Sequence, residues 1–290
     1  LSSKIQIAES QSSQIKPKFS TVSSIFYVMA HVSQVETDDG ISWHVEQSGS
    51  GPHLLFIPSG EGDCFPFSKV ISLLSDTFSI TTFDQPGFSR TTAPPSALEN
   101  ITPLKVAKQI IKLLDKLSIP SAMVFGPSAG GCTARALLVH YPERVERIII
   151  HEVPLWPVPP ELDPIIHLSA APEPQIIAAC QYIFGEIMNE DRAAWDGLGP
   201  EYHKRLERNY VTWIKNYVSV SEKYLYWNKE EVMSKPVHWT VGSKSTMGAW
   251  FDNVVLATET GIKIGLLPCR HFPQVSIPEK LAEYIRACCQ

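Results

Sequence analysis

Val124-Phe125-Gly126-Pro127-Ser128-Ala129-Gly130-Gly131 carries a short apolar segment into a turn of small residues built around one serine. The pattern G-x-S-x-G is short, so its weight comes from its surroundings. Ala122–Gly126 has the character of a strand, and Ala129–Tyr141 that of a helix closed by Pro142. A serine at such a strand-to-helix turn is forced into a strained conformation, and the sharp bend demands small neighbours. Gly126, Ala129, Gly130 and Gly131 meet that demand. The Ala129 N–H then stands at the positive end of a helix, aimed at whatever the serine attacks. Ser128 is therefore the candidate nucleophile, and the competing reading is a glycine-rich packing turn.

The same rhythm extends outward. Val32–Glu36 and Ile41–Gln47 flank the turn signal Asp38-Asp39-Gly40, which predicts a hairpin. His53–Pro58 is a short apolar strand, Phe65–Ser75 has helical spacing, and Phe78–Phe83 is the next strand. Leu104, Ala107, Ile110, Ile111, Leu114 and Leu117 form one apolar face of a helix over Leu104–Leu117. Val145–His151 is a further strand. Gly49-Ser50-Gly51 lies between two strand-like segments, so it is expected as a hairpin turn and not as a dinucleotide fingerprint. Strands alternating with helices imply βαβ units and a mostly parallel sheet.

The alternation stops after Glu152. From Val153 to about Pro236 the pattern is helical, over Pro174–Met188, Glu201–Tyr217 and a shorter stretch near Lys229–Met233, and it is rich in aromatics. It resumes with a strand over Val237–Val241, a helix over Met247–Glu259, a strand over Ile262–Leu267 and a last helix over Pro278–Cys288. The expectation is an α/β core in two parts, residues 29–152 and 237–290, with a helical cap, 153–236, inserted between two core strands. Residues 1–28 are Ser-, Gln- and Lys-rich with weak periodicity, and are expected to be an extension preceding a functional domain that starts at Met29.

Composition narrows the function. Among 290 residues, 44% are hydrophobic and 19% charged, as in a globular protein with a sizeable core. The formal net charge is -5 and no basic block stands out, which argues against nucleic acid and anionic membranes. No apolar run approaches the roughly 20 residues needed to span a bilayer. Six scattered cysteines, without a C-x-x-C pair, suit a reducing, cytoplasmic compartment. No metal-ligand spacing appears, so neither metal nor cofactor is expected. Oligomeric state is not legible, a homodimer being one option.

A serine hydroxyl needs a base. Of nine histidines, His271 directly follows the last core strand, in Leu266-Leu267-Pro268-Cys269-Arg270-His271, at the sheet edge where open α/β folds bind ligands. It also comes last in the order Ser…acid…His. For the acid, the strand after the cap leads into Gly242-Ser243-Lys244-Ser245, which holds no carboxylate. Glu152, at the end of the strand beside that of Ser128, is favoured over Asp252 inside the following helix. His151 is expected in a loop or packing role. Ser59-Gly60-Glu61-Gly62-Asp63, after His53–Pro58, lets backbone approach a ligand closely, so the Gly60 N–H is assigned to an oxyanion hole with that of Ala129, uncertain by one residue.

With these residues in place the chain resembles the α/β-hydrolases, and more narrowly the fungal zearalenone lactone hydrolases. The likeness extends over nearly everything from Met29. It is densest in Asp39-Gly40-Ile41-Ser42-Trp43, Thr82-Phe83-Asp84-Gln85-Pro86-Gly87-Phe88-Ser89-Arg90, His151-Glu152-Val153-Pro154, Trp239-Thr240-Val241-Gly242, Phe251-Asp252-Asn253 and His271-Phe272-Pro273. The resemblance implies a Ser128–His271–Glu152 triad and a hydrophobic macrolactone as small-molecule substrate, in mycotoxin detoxification. It matches the family's cap tryptophan and tyrosine to Trp213 and Tyr217, and Trp250 has the look of a pocket wall. Two departures stand out: Pro127-Ser128-Ala129 replaces the family's Cys-Ser-Ser, and Ser59 replaces an aspartate. Rival readings are a polyketide thioesterase or macrocyclase with the same triad, and a non-catalytic ligand-binding protein on the same fold.

Overall fold

The computed structural model describes residues 30–155, 165, 167–218, 230 and 233–289, with only the backbone at 247–249. The expectations for residues 1–28 and for a start at Met29 lie outside these residues, as do Trp156, Tyr224, Tyr226, Trp227 and most of the helix near Lys229–Met233.

Eight strands form one sheet: β1 (His31–Glu36), β2 (Ser42–Ser48), β3 (His53–Phe56), β4 (Ser79–Phe83), β5 (Ala122–Pro127), β6 (Val145–His151), β7 (Val237–Gly242) and β8 (Ile264–Leu267). Their spatial order is β1-β2-β4-β3-β5-β6-β7-β8. The first two pairings are antiparallel and the rest parallel. The expected hairpin between β1 and β2 forms, with Thr37 N–H donating to Ile41 O. The hairpin expected at Gly49-Ser50-Gly51 does not, because β4 separates β2 from β3. The physical reason is burial: Leu54, Leu55 and Phe56 are all buried, so β3 belongs inside the sheet between two parallel neighbours.

Among the described residues the α-helices are α1 (Ser68–Leu74), α2 (Pro95–Leu98), α3 (Pro103–Lys116), α4 (Ala129–His140), α5 (Glu173–Tyr182), α6 (Arg192–Asp196), α7 (Pro200–Thr212), α8 (Met247–Thr260), α9 (Pro273–Ser276) and α10 (Pro278–Cys289). Thr102 caps α3 by accepting from Lys105 N–H, and Pro103 follows at the first position, where its missing N–H costs nothing. The buried face of α3 is Val106, Ala107, Ile110, Leu113 and Leu114. The predicted stripe is thus rotated: Ile111 and Leu117 lie at its margin and Leu104 is only half-buried.

Alternation along the strands feeds two cores. Val124, Ile148 and Ile150 pack with α3 and α4 on one face, whereas Met123, Phe125 and Ile149 pack with α1 and α10 on the other. Between β6 and β7 the chain leaves the sheet. Its described helices bury Ile176, Phe184, Trp195, Tyr202, Tyr210 and Ile214 together with Phe272 and Val275. The helices predicted over Pro174–Met188 and Glu201–Tyr217 both end in wider π-helical turns, Ile183–Ile187 and Trp213–Val218. Among the described residues, no helix is long and apolar enough to cross a membrane.

Candidate active site

Ser128 sits between β5 and α4 with φ 51° and ψ -126°. That is a costly conformation for a residue with a Cβ, and the surroundings enforce it. Its N–H donates to His151 O at 2.8 Å, and its carbonyl accepts from Gly131 N–H at 2.8 Å. A Cβ on Gly126 would lie 2.4 Å from Gly130 O, and one on Gly130 would lie 2.5 Å from Ile57 O. Only glycine lets strand, turn and helix close this far. Ser128 and Ala129 both line an apolar cavity. The Ala129 N–H opens α4, where amides lack intrahelical partners.

Glu152 continues directly from β6 and is also left-handed, at φ 44°. Its N–H donates to Thr240 O at 3.0 Å, which ties the ends of β6 and β7 together. The side chain is fully buried and bridges two elements. One oxygen accepts from Gly242 N–H at 2.7 Å; the other lies 2.8 Å from His271 Nδ1. Burial by itself would raise its pKa, but the neighbouring His151 and the bond to His271 outweigh it, and the carboxyl lies below its ordinary range. Burial drives the His151 pKa down, so near neutral pH that ring is uncharged. The hydrogen bonds from His271 and Gly242 fix the carboxylate in this orientation. Asp252, the alternative acid, is exposed on α8.

His271 is 2% exposed. Its N–H donates to Met188 O at 3.0 Å, and its ring stacks on Trp250 at 4.6 Å and 11°. Trp250 lines the same cavity as Ser128. No hydrogen bond joins the Ser128 hydroxyl to the imidazole among the described residues. Serine–base contacts of this kind often tighten only when substrate binds.

The amide-bearing loop after β3 is closely packed. Gly60 N–H donates to Ser59 Oγ at 2.6 Å, and the indole of Trp213 covers Gly60 so closely that a Cβ there would lie 2.8 Å from it. Trp213 and Tyr217 line the cavity, while the Tyr217 hydroxyl is spent on Pro86 O at 2.8 Å. Other walls are apolar, among them Val106, Met188 and Val218.

Several residues to which the sequence reading gave no part in the site hold these parts in place. Gln85 donates to Pro58 O and Ser59 O, at 2.7 and 2.9 Å, and lines the cavity. His151, expected in a loop or packing role, has the second: it ends β6 with its ring buried against Thr240 Oγ1 and the Arg270 carbonyl that precedes His271. Asn253 pairs with both backbone groups of Val153. The one signal available for these was a polar residue set among apolar strand ends. Possible metal-ligand groups among the described residues centre on Glu46, Cys64, Asp63 and Asp84. The Arg90 guanidinium already contacts all four, and the carboxylates are neutralised by it.

Comparison with known proteins agrees with this architecture. The alpha/beta hydrolase fold family matches residues 52–171. A zearalenone hydrolase of Cladophialophora bantiana is 41% identical over 255 residues, 87% of this chain and 94% of its own. One of Bionectria ochroleuca is 36% identical over 256 residues, 87% of this chain and 96% of its own. The crystal structure of the enol-lactonase from Burkholderia xenovorans LB400 superposes with a TM-score of 0.72 at 16% identity, covering 89% of this chain and 99% of that one, which speaks for the fold alone. The chain belongs to the zearalenone hydrolase family and is a hydrolase of the α/β-hydrolase fold.

Proposed function

We propose that the protein opens the ester of a hydrophobic, aromatic macrolactone of the zearalenone kind through a Ser128–His271–Glu152 triad. The observation that carries the reading is the Glu152 carboxylate, buried and bonded to His271 Nδ1 at 2.8 Å. Accepting from Nδ1–H fixes the tautomer that leaves Nε2 free to take a proton. In this reading Ser128 Oγ attacks the lactone carbonyl as His271 removes its proton. The Ala129 and Gly60 amides stabilise the oxyanion. His271 then returns the proton to the leaving alkoxide, and water releases the acid from the acyl-enzyme by the same steps in reverse.

Residues 153–236 act as a cap over the core segments 29–152 and 237–290. The apolar cavity beneath, with Trp213, Tyr217 and Trp250 in its wall, suits a flat aromatic ring. The relatives' activity and the predominance of ring-facing apolar walls favour a lactone over an acyl thioester.

The test is Ser128→Ala. The variant is expected to fold and to bind a resorcylic macrolactone without turning it over, while a serine-directed phosphonate labels only the parent. Substantial hydrolysis by the variant, or no labelling of the parent, defeats the reading. Turnover of an acyl thioester in preference to the lactone would favour the thioesterase.

A further inference from the structure

The loop after β3 carries a group for which the triad has no use. Glu61 lies between Gly60 and Gly62, is 1% exposed, and neither of its carboxyl oxygens has a hydrogen-bond partner among the described residues. No cation pairs with it among the described residues. A buried charge so placed is costly, and the group lowers that cost by staying protonated. Burial pushes its pKa up to about 7; the loop's own N–H and the Ser59 hydroxyl offset a part, and the charge on Asp63 adds to it.

The groups facing Glu61 are few. From its own loop come Ser59 and Asp63, the latter held by Arg90 and Arg205. From α7 come the phenols of Tyr202 and Tyr210, the first with its hydroxyl likewise unpartnered. Outward movement of the loop is resisted at two points: Asn209 donates to Glu61 O at 2.7 Å, and Trp213 covers Gly60. The Ser59 hydroxyl is a donor within reach of an ionised Glu61, and Ser59 Oγ already holds the Gly60 N–H at 2.6 Å.

We propose that Glu61 is a positioning residue for the oxyanion-binding amide, acting through Ser59. As the neutral acid it leaves the Gly60 N–H free to turn toward the reacting oxygen. As a carboxylate it accepts the Ser59 O–H, which polarises Oγ into a stronger acceptor and keeps the Gly60 N–H on Ser59. Turnover then needs two groups uncharged, His271 as base and Glu61 as acid, and it falls as pH rises above neutrality. This rests on the hydrolysis proposed at Ser128.

The experiment follows hydrolysis of p-nitrophenyl butyrate from about pH 5.5 to about pH 9 by the parent, Glu61→Gln and Ser59→Ala, with thermal midpoints recorded at each pH. In the parent, kcat should fall about tenfold across the alkaline half of that range with KM little changed, a fraction of the 10²–10³ lost with a whole oxyanion donor. Both variants should lose the falling limb. The parent's midpoint should also drop relative to that of Glu61→Gln as pH rises from about 5.5 through about 7, and level off against it above that. A falling limb that persists in Glu61→Gln overturns the proposal, and so does a parent midpoint that stays parallel to it. Should Glu61→Gln not fold, persistence of the limb in Ser59→Ala does the same. A parent that turns over neither this ester nor a resorcylic macrolactone at any pH is a different result, which removes the reaction proposed at Ser128 itself.

Discussion

Glu152→Gln tests the proposed triad at the point where the geometry is most demanding. The carboxylate accepts two N–H donors at once, Gly242 N–H at 2.7 Å and His271 Nδ1–H at 2.8 Å. A glutamine of the same shape has one acceptor and one donor end. If its oxygen faces Gly242, its NH₂ faces His271 Nδ1, and the ring must carry its proton on Nε2, where it cannot take one from Ser128. Loss of the correct tautomer costs about 10⁴ in kcat, or roughly 5.4 kcal/mol. If its oxygen faces His271 instead, NH₂ confronts the Gly242 N–H, and two buried donors without acceptors cost about 1–3 kcal/mol each. The fold therefore selects the orientation that is worse for catalysis. Steady-state hydrolysis of the macrolactone should show kcat down about 10³–10⁴-fold with KM within about threefold. A loss below tenfold would refute the argument, since it would mean that the Glu152–His271 bond is not what orients the base. There is a stability consequence too. The folded carboxyl lies below its ordinary 4.5, so its ionisation adds stability above that pH, which is lost as pH falls through the lower folded value. Glu152→Gln should flatten that part of the acid-unfolding profile.

Trp213→Ala removes a cavity wall and uncovers Gly60, so KM should rise about tenfold and kcat should fall less; equal KM values would argue against substrate lying on the indole. Gly130→Ala places a methyl 2.5 Å from Ile57 O and 2.8 Å from Pro58 O, both backbone, and should cost about 1–3 kcal/mol in denaturant unfolding; an unchanged midpoint would contradict the close approach. Arg90→Met strands Asp84, whose buried carboxylate receives the guanidinium at 2.7 Å, and should cost about 3–5 kcal/mol in the same assay. A cost under about 1 kcal/mol would show that the carboxylates protonate or hydrate instead.

Local pattern alone was enough to read most of the architecture. Strands and helices follow from apolar periodicity, which is a property of consecutive residues: Val145–His151 is apolar enough to be a buried parallel strand whatever lies beside it, and β6 has those bounds. The turn at Ser128 was legible for the same reason, because its small residues record a backbone that closes on itself within five positions. Where neighbours in space decide, the sequence was silent. Nothing in Gly49-Ser50-Gly51 announces that β4 will slot between the strands it joins. The rotation of the buried face on α3 likewise depends on where the sheet lies beneath it.

The candidate site divides along the same line. That Glu152 ends a strand and that His271 follows one could be read from the chain. That the two meet at 2.8 Å, 119 residues apart, is decided by the order of β5, β6, β7 and β8, which sets their carboxyl ends side by side. Glu61 shows the reverse case. In sequence it is a polar residue between two glycines, indistinguishable from a solvated turn. Only when α7 and Trp213 close over the loop does it become a buried carboxyl without a hydrogen-bond partner among the described residues, because the cost of a charge depends on the medium around it and not on the residues beside it in the chain.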